Sequence, residues 1–195
     1  QPMRIMGVAV KDSWFYSVGG RDGSGNAASS VYFTRRSPDG SLGPWTATTS
    51  LPVAIDGMTC AVLGDRIYSV GGMTTGALDN VYSAAVNPVG SIGSWVTETS
   101  LPAPRWASDG LAANGRLYVT GGYSGGPFAE VYYSSPLTGT GERRPVGPRA
   151  GPVIRPNPVG SGFATVVLGI RSELPGNSVM SLRVYDASGR CVLRQ

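Results

Sequence analysis

The chain has 195 residues, with 16 basic and 12 acidic side chains and no histidine. This composition excludes a Ser-His-Asp triad, a Cys-His dyad and any imidazole acid or base. The sequence holds 29 glycines and 15 prolines, while 41% of its residues are hydrophobic. Frequent turns together with enough apolar material for a core predict an all-β fold and argue against a helical bundle.

The two cysteines, Cys60 and Cys191, are interpreted as free or buried thiols because they fall in different predicted domains. Without histidine or a cysteine cluster, we expect neither a metal site nor a cofactor. No apolar run reaches the length of a membrane helix, so no membrane span is expected. The chain starts at Gln1 without a signal-peptide pattern. It is expected to be either a processed chain or, in view of its repeats, an internal piece of a longer one.

An internal repeat of about 50 residues organises the first part of the chain. Glycine pairs recur with spacings of 52 and 50 residues, at Gly19-Gly20, Gly71-Gly72 and Gly121-Gly122. A Val-Tyr pair follows each of them, with spacings of 50 and 50, at Tyr32, Tyr82 and Tyr132. Trp45 and Trp95 are also 50 residues apart, and both occur in similar pentapeptides, SLGPW and SIGSW. So many agreements at one period indicate repeated structural units.

Each unit is predicted to hold four short strands. In the middle unit, residues 59–63 and 66–70 form a hairpin around Gly64-Asp65. The Gly-Gly pair ends the second strand, where a positive φ or a close backbone approach is needed. A third strand is expected around Tyr82 and a fourth carrying Trp95. Four strands in such a short repeat are typical of a β-propeller blade.

These units resemble kelch repeats, in which an apolar strand, a Gly-Gly pair, a spaced Tyr and a later Trp recur. The resemblance covers about residues 3 to 138 and implies blades at about 3–52, 53–102 and 103–138. It assigns a structural role to the repeated positions: Gly19, Gly20, Tyr32, Trp45, Gly71, Gly72, Tyr82, Trp95, Gly121, Gly122 and Tyr132.

The third unit departs from the pattern, since Thr140-Gly141-Glu142-Arg143 stands where its Trp should fall. Either this blade is degenerate, or a strand from elsewhere in a longer chain completes it, as is common in kelch propellers. Three blades cannot close a ring. We therefore expect the back part of a longer propeller with an incomplete third blade, which would be aggregation-prone or oligomeric alone.

The composition changes near residue 139. Residues 139–158 are rich in Gly, Pro and Arg and are predicted to be a linker. Residues 159–195 contain strand-like runs at 163–170 and 178–185 and turn residues at 186–189. This tail resembles the Ig-like C-terminal sorting domains of bacterial type IX secretion, through RPNP at 155–158 and a VYD…GR hairpin at 184–190. The resemblance implies a partial β-sandwich, contact with the secretion machinery, and export to the cell surface or medium.

Charge is divided at the same boundary. Residues 1–142 carry 8 basic and 10 acidic groups, whereas residues 143–195 carry 8 and 2, which gives −2 and +6 and sums to +4. A basic tail is compatible with a nucleic-acid partner. Its arginines are scattered, without aromatic residues for stacking, so we expect a solvated linker and no nucleic acid.

No catalytic residue is predicted. Galactose oxidase has a kelch-type catalytic domain, but its copper site needs histidine, which is missing. The stretch at 37–45 resembles a sialidase Asp-box with its Gly and Trp out of register, and sialic acid mutarotases offer an isomerase precedent without a visible site. Carboxylates such as Asp56, Asp79, Asp109 and Glu130 could pair for acid/base work, although nothing in their spacing requires it. Asp79 and Glu130 lie just before the third strand, where capping a turn is the expected role.

Binding is the more natural use of such a frame. The loops after the Gly-Gly pairs differ most between units, and exposed variable loops on a rigid scaffold are typical of recognition surfaces. Trp106, Tyr123 and Phe128 are the candidate aromatic contacts. Arg105, placed in the first strand of its blade, could meet an acidic or carbohydrate ligand.

The sequence therefore predicts a secreted or cell-surface binding or scaffolding module for a protein or glycan. Two alternatives remain open at this point. The chain could be the non-catalytic part of a secreted carbohydrate-active enzyme whose active site lies elsewhere, or it could be a spacer without a ligand.

Overall fold

A computed structural model describes residues 3–135 and three further strand segments, at 154–156, 183–185 and 191–194. All regular elements of these residues are strands, so the predicted all-β class is confirmed. None of the described residues forms an apolar helix long enough to cross a membrane. The chain divides into two compact units, Gln1–Asn157 and Pro158–Gln195.

Three four-stranded antiparallel sheets build the first unit, and each follows chain order from its first strand. Sheet I holds β1 (Gly7–Lys11), β2 (Trp14–Val18), β3 (Val31–Arg35) and β4 (Thr46–Thr48). Sheet II holds β5 (Thr59–Leu63), β6 (Arg66–Val70), β7 (Val81–Ala85) and β8 (Val96–Thr97). Sheet III holds β9 (Asp109–Ala113), β10 (Arg116–Thr120), β11 (Val131–Ser134) and β12 (Ile154–Pro156).

The first strands of the three sheets lie side by side, with β1 next to β5 and β5 next to β9. The sheets are therefore arranged like successive blades of a β-propeller. The predicted strands 59–63 and 66–70 are β5 and β6, with Leu63 opposite Arg66 across the tight turn. The fourth strand begins one residue after Trp95, which was expected inside it.

Sheet III corrects the expectation of an incomplete third unit. Its outermost strand is β12, which pairs with β11 so that Tyr132 lies opposite Pro156 and Ser134 opposite Ile154. This strand falls inside residues 139–158, which were predicted to be a linker. Pro156 suits an edge strand, where a missing amide donor costs no ladder bond. The 50-residue spacing did not predict β12, because this strand begins later within its unit than β4 and β8 do within theirs.

The second unit contains, among its described residues, an antiparallel pair of β13 (Arg183–Tyr185) and β14 (Cys191–Arg194). The two strands flank the turn residues of the predicted VYD…GR hairpin, so this pairing is confirmed. The predicted strand at 163–170 and most of the expected Ig-like sandwich lie outside the described residues.

Two apolar cores hold the sheets of the first unit together. The core between sheets I and II joins Ala9, Tyr16 and Val18 to Cys60, Ile67 and Ile92. The core between sheets II and III joins Ala61, Tyr68 and Val70 to Leu117, Val119 and Tyr132. Because side chains alternate along a strand, sheet II supplies one set of residues to each core. The middle sheet is therefore the one covered on both faces.

The Gly-Gly pairs have the positive φ and make the close backbone approach for which glycine was expected. Gly71 and Gly72 have φ of +63° and +102°, values that side chains disfavour. A Cβ on Gly72 would also lie 2.8 Å from the carbonyl oxygen of Asp56 and collide with Ile55. The pair thus lets the end of β6 approach the segment that leads into β5.

We expect Gly72→Ala to lower the free energy of unfolding by about 2 kcal/mol or more, from backbone strain and the clash with Ile55. Denaturant titration of the full chain measures the change. Gly76→Ala is the control, since a Cβ there meets nothing within 4 Å. Equal stability of the two variants would contradict the close approach.

Candidate functional site

The same end of each sheet carries a repeated backbone bridge between two loop segments. It joins the segment before the first strand to the residue after the Gly-Gly pair: Arg4 with Arg21, Asp56 with Met73, and Trp106 with Tyr123. These segments, at 3–6, 19–30, 52–58, 71–80, 102–108 and 121–130, are called the loop face below. Equivalent backbone positions therefore present different side chains in each unit.

A line of backbone hydrogen bonds connects the three sheets at the loop face. The amide of Gly57 donates to the carbonyl of Ile5 at 3.0 Å, and the amide of Ala107 donates to the carbonyl of Gly57 at 2.8 Å. All three residues have positive φ, of 55°, 60° and 52° respectively. This conformation is strained for alanine and more so for a β-branched isoleucine. Hydrogen bonding to the neighbouring sheet offsets the strain, which makes the frame of the loop face rigid.

An ion pair links sheets I and II across the loop face. Arg21 Nε donates to Asp56 Oδ2 at 2.8 Å, and Arg21 Nη1 also reaches the Gly25 carbonyl at 3.4 Å. The Asp56 side chain is 1% exposed, against 29% for Arg21. The second carboxylate oxygen of Asp56, Oδ1, is buried and has no partner among the described residues. Since a buried carboxylate needs compensation, Arg21 fixes sheet I against the entry to β5.

Arg105 is buried between two aromatic rings of its own unit. Its guanidinium carbon lies 4.4 Å from the ring centroid of Phe128 and 4.0 Å from that of Tyr132. Nη1 donates to the Gly121 carbonyl at 2.7 Å, whereas Nε and Nη2 have no partner within the described part of the chain. The two ring faces stabilise this cation, which is shielded from bulk solvent.

The half-buried Trp106 and the exposed Tyr123 form the aromatic part of the loop face. Their rings meet edge to face, with centroids 6.1 Å apart and an interplanar angle of 73°. The two backbones are also hydrogen-bonded to each other, at 3.2 and 2.9 Å. Tyr123 is 45% exposed, so the pair presents a fixed aromatic surface to solvent.

The four predicted contact residues therefore fall into two neighbouring clusters. Arg105 and Phe128 belong to the contact between the buried guanidinium and its two rings, and Trp106 and Tyr123 form the aromatic pair. Arg105 was placed in the first strand of its blade, but it precedes β9 by several residues and is wholly buried. The repeated tyrosines Tyr82 and Tyr132 are core residues. A ligand role for the four residues stays a prediction.

The two repeated tryptophans differ in their surroundings, although both were assigned to structure. The Trp95 indole donates to the carbonyl of Thr49 at 3.1 Å and packs against the core between sheets I and II. Trp45 is 47% exposed, because sheet I has no sheet on that side within residues 3–135. The pair of Arg21 and Asp56 was not predicted from the sequence. The change of residue type among Arg4, Asp56 and Trp106, which occupy equivalent positions, is the signal that pointed to it.

The described residues were also searched for groups that could support chemistry. No group of three or more His, Cys, Asp or Glu residues within the described ranges is placed to hold a metal ion. Burial raises the pKa of the Cys60 thiol to about 12, which disfavours the nucleophilic thiolate at neutral pH. The loop face also carries the ion pair of Arg21 and Asp56 and the aromatic pair of Trp106 and Tyr123.

Comparison with known proteins gives a fold likeness and no family. No family model and no curated protein matches the chain. Among solved structures, 155 chains match. The structure of YjhT superimposes with a TM-score of 0.60 at 13% sequence identity, over 78% of this chain and 45% of that one. The likeness shows a shared fold, and this chain spans less than half the length of that protein.

We expect a double-mutant cycle with Arg21→Met and Asp56→Asn to give a coupling energy of at least about 1 kcal/mol, because Asp56 is buried. Unfolding titrations of the two single variants and the double variant measure it. The pair of Lys11 and Asp12, 3.5 Å apart, is the control, because its carboxylate side chain is 79% exposed. Its cycle with Lys11→Met and Asp12→Asn should stay below about 0.5 kcal/mol. Equal coupling energies in both cycles would contradict the role of Arg21 in fixing sheet I against the entry to β5.

Proposed function

We propose that this chain is part of an exported kelch-type β-propeller that binds a protein or glycan ligand through its loop face. The observation that carries the proposal is the repeated bridge between the two loop segments. It holds arginines in sheet I, Asp56 and Met73 in sheet II, and the aromatic pair of Trp106 and Tyr123 in sheet III. A rigid frame that varies only its outward side chains is what selective recognition requires.

The aromatic pair is the proposed anchor for the ligand. Aromatic rings supply large contact areas with little loss of conformational entropy, and tyrosine and tryptophan dominate binding hot spots. Trp106 and Tyr123 are already held against each other by ring packing and backbone hydrogen bonds. A sugar ring or an apolar side chain would stack on this surface without first having to order it.

The charged part of the loop face is proposed to set selectivity. Asp56 is 1% exposed and holds Arg21 in place, so Arg21 is the member of the pair that faces a ligand. Arg21 keeps 29% of its side chain exposed and so has donors available for ligand oxygens. Hydroxyl, carboxylate and backbone carbonyl groups all suit this arrangement.

The kelch assignment and the exported location are parts of the same proposal. The first is supported by the Gly-Gly, Tyr and Trp positions and by the blade-like arrangement of sheets I to III. The second is supported by the likeness of residues 159–195 to sorting domains, whose hairpin corresponds to the pairing of β13 with β14. On this proposal the tail engages the secretion machinery and the propeller acts at the cell surface or in the medium.

The test is a glycan and protein array probed with the 195-residue chain, followed by titration of the best ligand against variants. We expect Tyr123→Ala and Trp106→Ala to weaken binding at least tenfold, since each removes part of the aromatic surface. Val89→Ala is the control, because Val89 is 69% exposed but lies in the turn after β7, outside the loop face.

The measurement also separates the proposal from its rivals. Silence on both arrays would favour a spacer without a ligand. Binding that survives both aromatic substitutions would move the site away from the loop face and contradict the proposal.

A further inference from the structure

We propose that the loop face binds a peptide that carries an acidic side chain close to an apolar one. Arg4 and Arg21 of sheet I receive the carboxylate, and the apolar side chain lies on Ile5 and Trp106. The inference rests on the function proposed above, because it names the class of ligand for the same loop face. The arginine pair carries it, since neither of the other two sheets repeats that pair.

Arg4 and Arg21 lie opposite each other in the repeated bridge of sheet I. The amide of Arg4 donates to the carbonyl of Arg21 at 3.0 Å, and the amide of Arg21 donates to that of Arg4 at 2.7 Å. Residues that exchange both hydrogen bonds carry their side chains on the same side of the backbone, where like charges repel each other. The bridges of sheets II and III do not join like charges. Sheet I therefore holds an electrostatic cost that the fold does not require, which is typical of a functional site.

The side chains of both arginines converge on Gly25. Arg21 Nη1 lies 3.4 Å from the Gly25 carbonyl oxygen, and a Cβ on Gly25 would lie 3.5 Å from Arg4 Nη2. Gly25 belongs to the loop that follows the Gly-Gly pair of sheet I. Arg4 therefore reaches the loop of its own sheet, and both guanidinium groups are held near one residue that has no side chain to cover them.

One carboxylate accompanies these two cations, and a ligand cannot reach it. Asp56 pairs with Arg21 at 2.8 Å and is 1% exposed, so its negative charge is enclosed by the protein. Arg21 keeps 29% of its side chain exposed. Arg4 is exposed and forms no ion pair with a carboxylate of the described residues. The cluster therefore has one excess positive charge and presents N–H donors to an incoming carboxylate.

An apolar surface continues from the arginines towards sheet III. It starts at Ile5, the residue after Arg4, which is 48% exposed. Gly57 separates Ile5 from Trp106: a Cβ on Gly57 would lie 3.7 Å from Ile5 Cγ2 and 3.4 Å from Trp106 Cε3. Trp106 in turn packs against Tyr123. Because Gly57 has no side chain, the surface is continuous, with a cationic end in sheet I and an aromatic end in sheet III.

The chemistry of this surface favours a peptide over a glycan. Sugar hydroxyl groups need acceptors as well as donors, and the carboxylate of this surface, Asp56, is buried against Arg21. Ile5 adds an aliphatic contact between the arginines and the aromatic pair, which suits an apolar side chain. A peptide supplies a carboxylate and an apolar side chain within a few residues of each other.

Net charge favours a short acidic segment over a polyanion. Residues 1–142 carry 8 basic and 10 acidic groups, which gives a net charge of −2. A nucleic acid depends on many phosphate contacts and would be repelled by this net charge. A single carboxylate responds mainly to the nearby Arg4 and Arg21, because more distant charges are screened by salt.

The test measures binding of the 195-residue chain to an array of short synthetic peptides. Each peptide has a Gly/Ser backbone with one Glu and one Leu or Phe, at every spacing along the peptide, and a matched set replaces Glu by Gln. We expect the Glu peptides of the best spacing to bind about tenfold or more tightly than their Gln counterparts, since the charge-assisted hydrogen bonds to arginine are lost. The preference should decrease as salt is added.

Substitutions assign the preference to the two arginines. Arg4→Gln should abolish it, and so should the double change Arg21→Met with Asp56→Asn, which leaves no buried charge unpaired. Arg36→Gln is the matched control. Arg36 is also an exposed arginine of sheet I, but its amide donates to Ser13 in the turn between β1 and β2, outside the loop face. This variant should keep the preference for Glu.

Stability gives a second readout, which a purely structural role of Arg4 would not match. Because Arg4 repels Arg21, Arg4→Gln should unfold at the same denaturant concentration as the original chain or at a higher one. Loss of binding without loss of stability would identify Arg4 as a ligand contact. A clear loss of stability would show that the arginine pair is compensated within the protein, and would overturn the inference.

The remaining outcomes separate this inference from the proposed function. Equal binding of Glu and Gln peptides, or a preference that survives both changes to the arginines, would overturn the inference. Binding of glycans without binding of any peptide would overturn it as well, while the proposed function would stand. Silence of the chain towards peptides, proteins and glycans alike would contradict both.

Discussion

The close approach of the first strands is the constraint on which the rest of the structure depends. β1 can lie against β5 because Gly7 has no side chain where the Cys60 sulfur lies, and a Cβ there would also be 3.2 Å from the sulfur of Met58. At the next contact the glycine is on the other strand, where a Cβ on Gly110 would lie 2.7 Å from the Thr59 methyl group. One member of each contact is small, so the sheets pack face to face and bury two apolar cores.

The loop face follows from this packing. Because the first strands are close, the segments leading into them can exchange the hydrogen bonds among Ile5, Gly57 and Ala107 that maintain positive φ. The backbone is thereby fixed by neighbouring sheets and not by the side chains that the loops display. Positions such as Arg21, Met73 and Tyr123 can therefore carry different side chains in each unit, which a binding surface requires.

Much of the fold could be predicted from the sequence, since the runs on either side of Gly64-Asp65 located β5 and β6 and the repeat spacing located the Gly-Gly pairs. What could not be predicted has physical causes. Strand β12 lacks the repeated tryptophan and depends on pairing with the distant β11. The burial of Arg105 depends on Phe128 and Tyr132, whose rings reach it only after folding. A β-branched residue such as Ile5 disfavours a positive φ, and the hydrogen bond to the neighbouring sheet maintains it. In the sequence, the glycine at the equivalent position of sheet II, Gly57, was the sign of this conformation.

The most direct test of the packing exchanges side-chain size between β1 and β5. Gly7→Ala alone should lower the free energy of unfolding by about 2 kcal/mol, because its methyl group collides with Cys60. Adding Cys60→Gly moves the glycine to the partner strand, as at Thr59 and Gly110, and should recover at least half of that loss. Denaturant titration of the single and double variants measures the coupling. Losses that simply add, or a Gly7→Ala variant as stable as the original chain, would contradict the account.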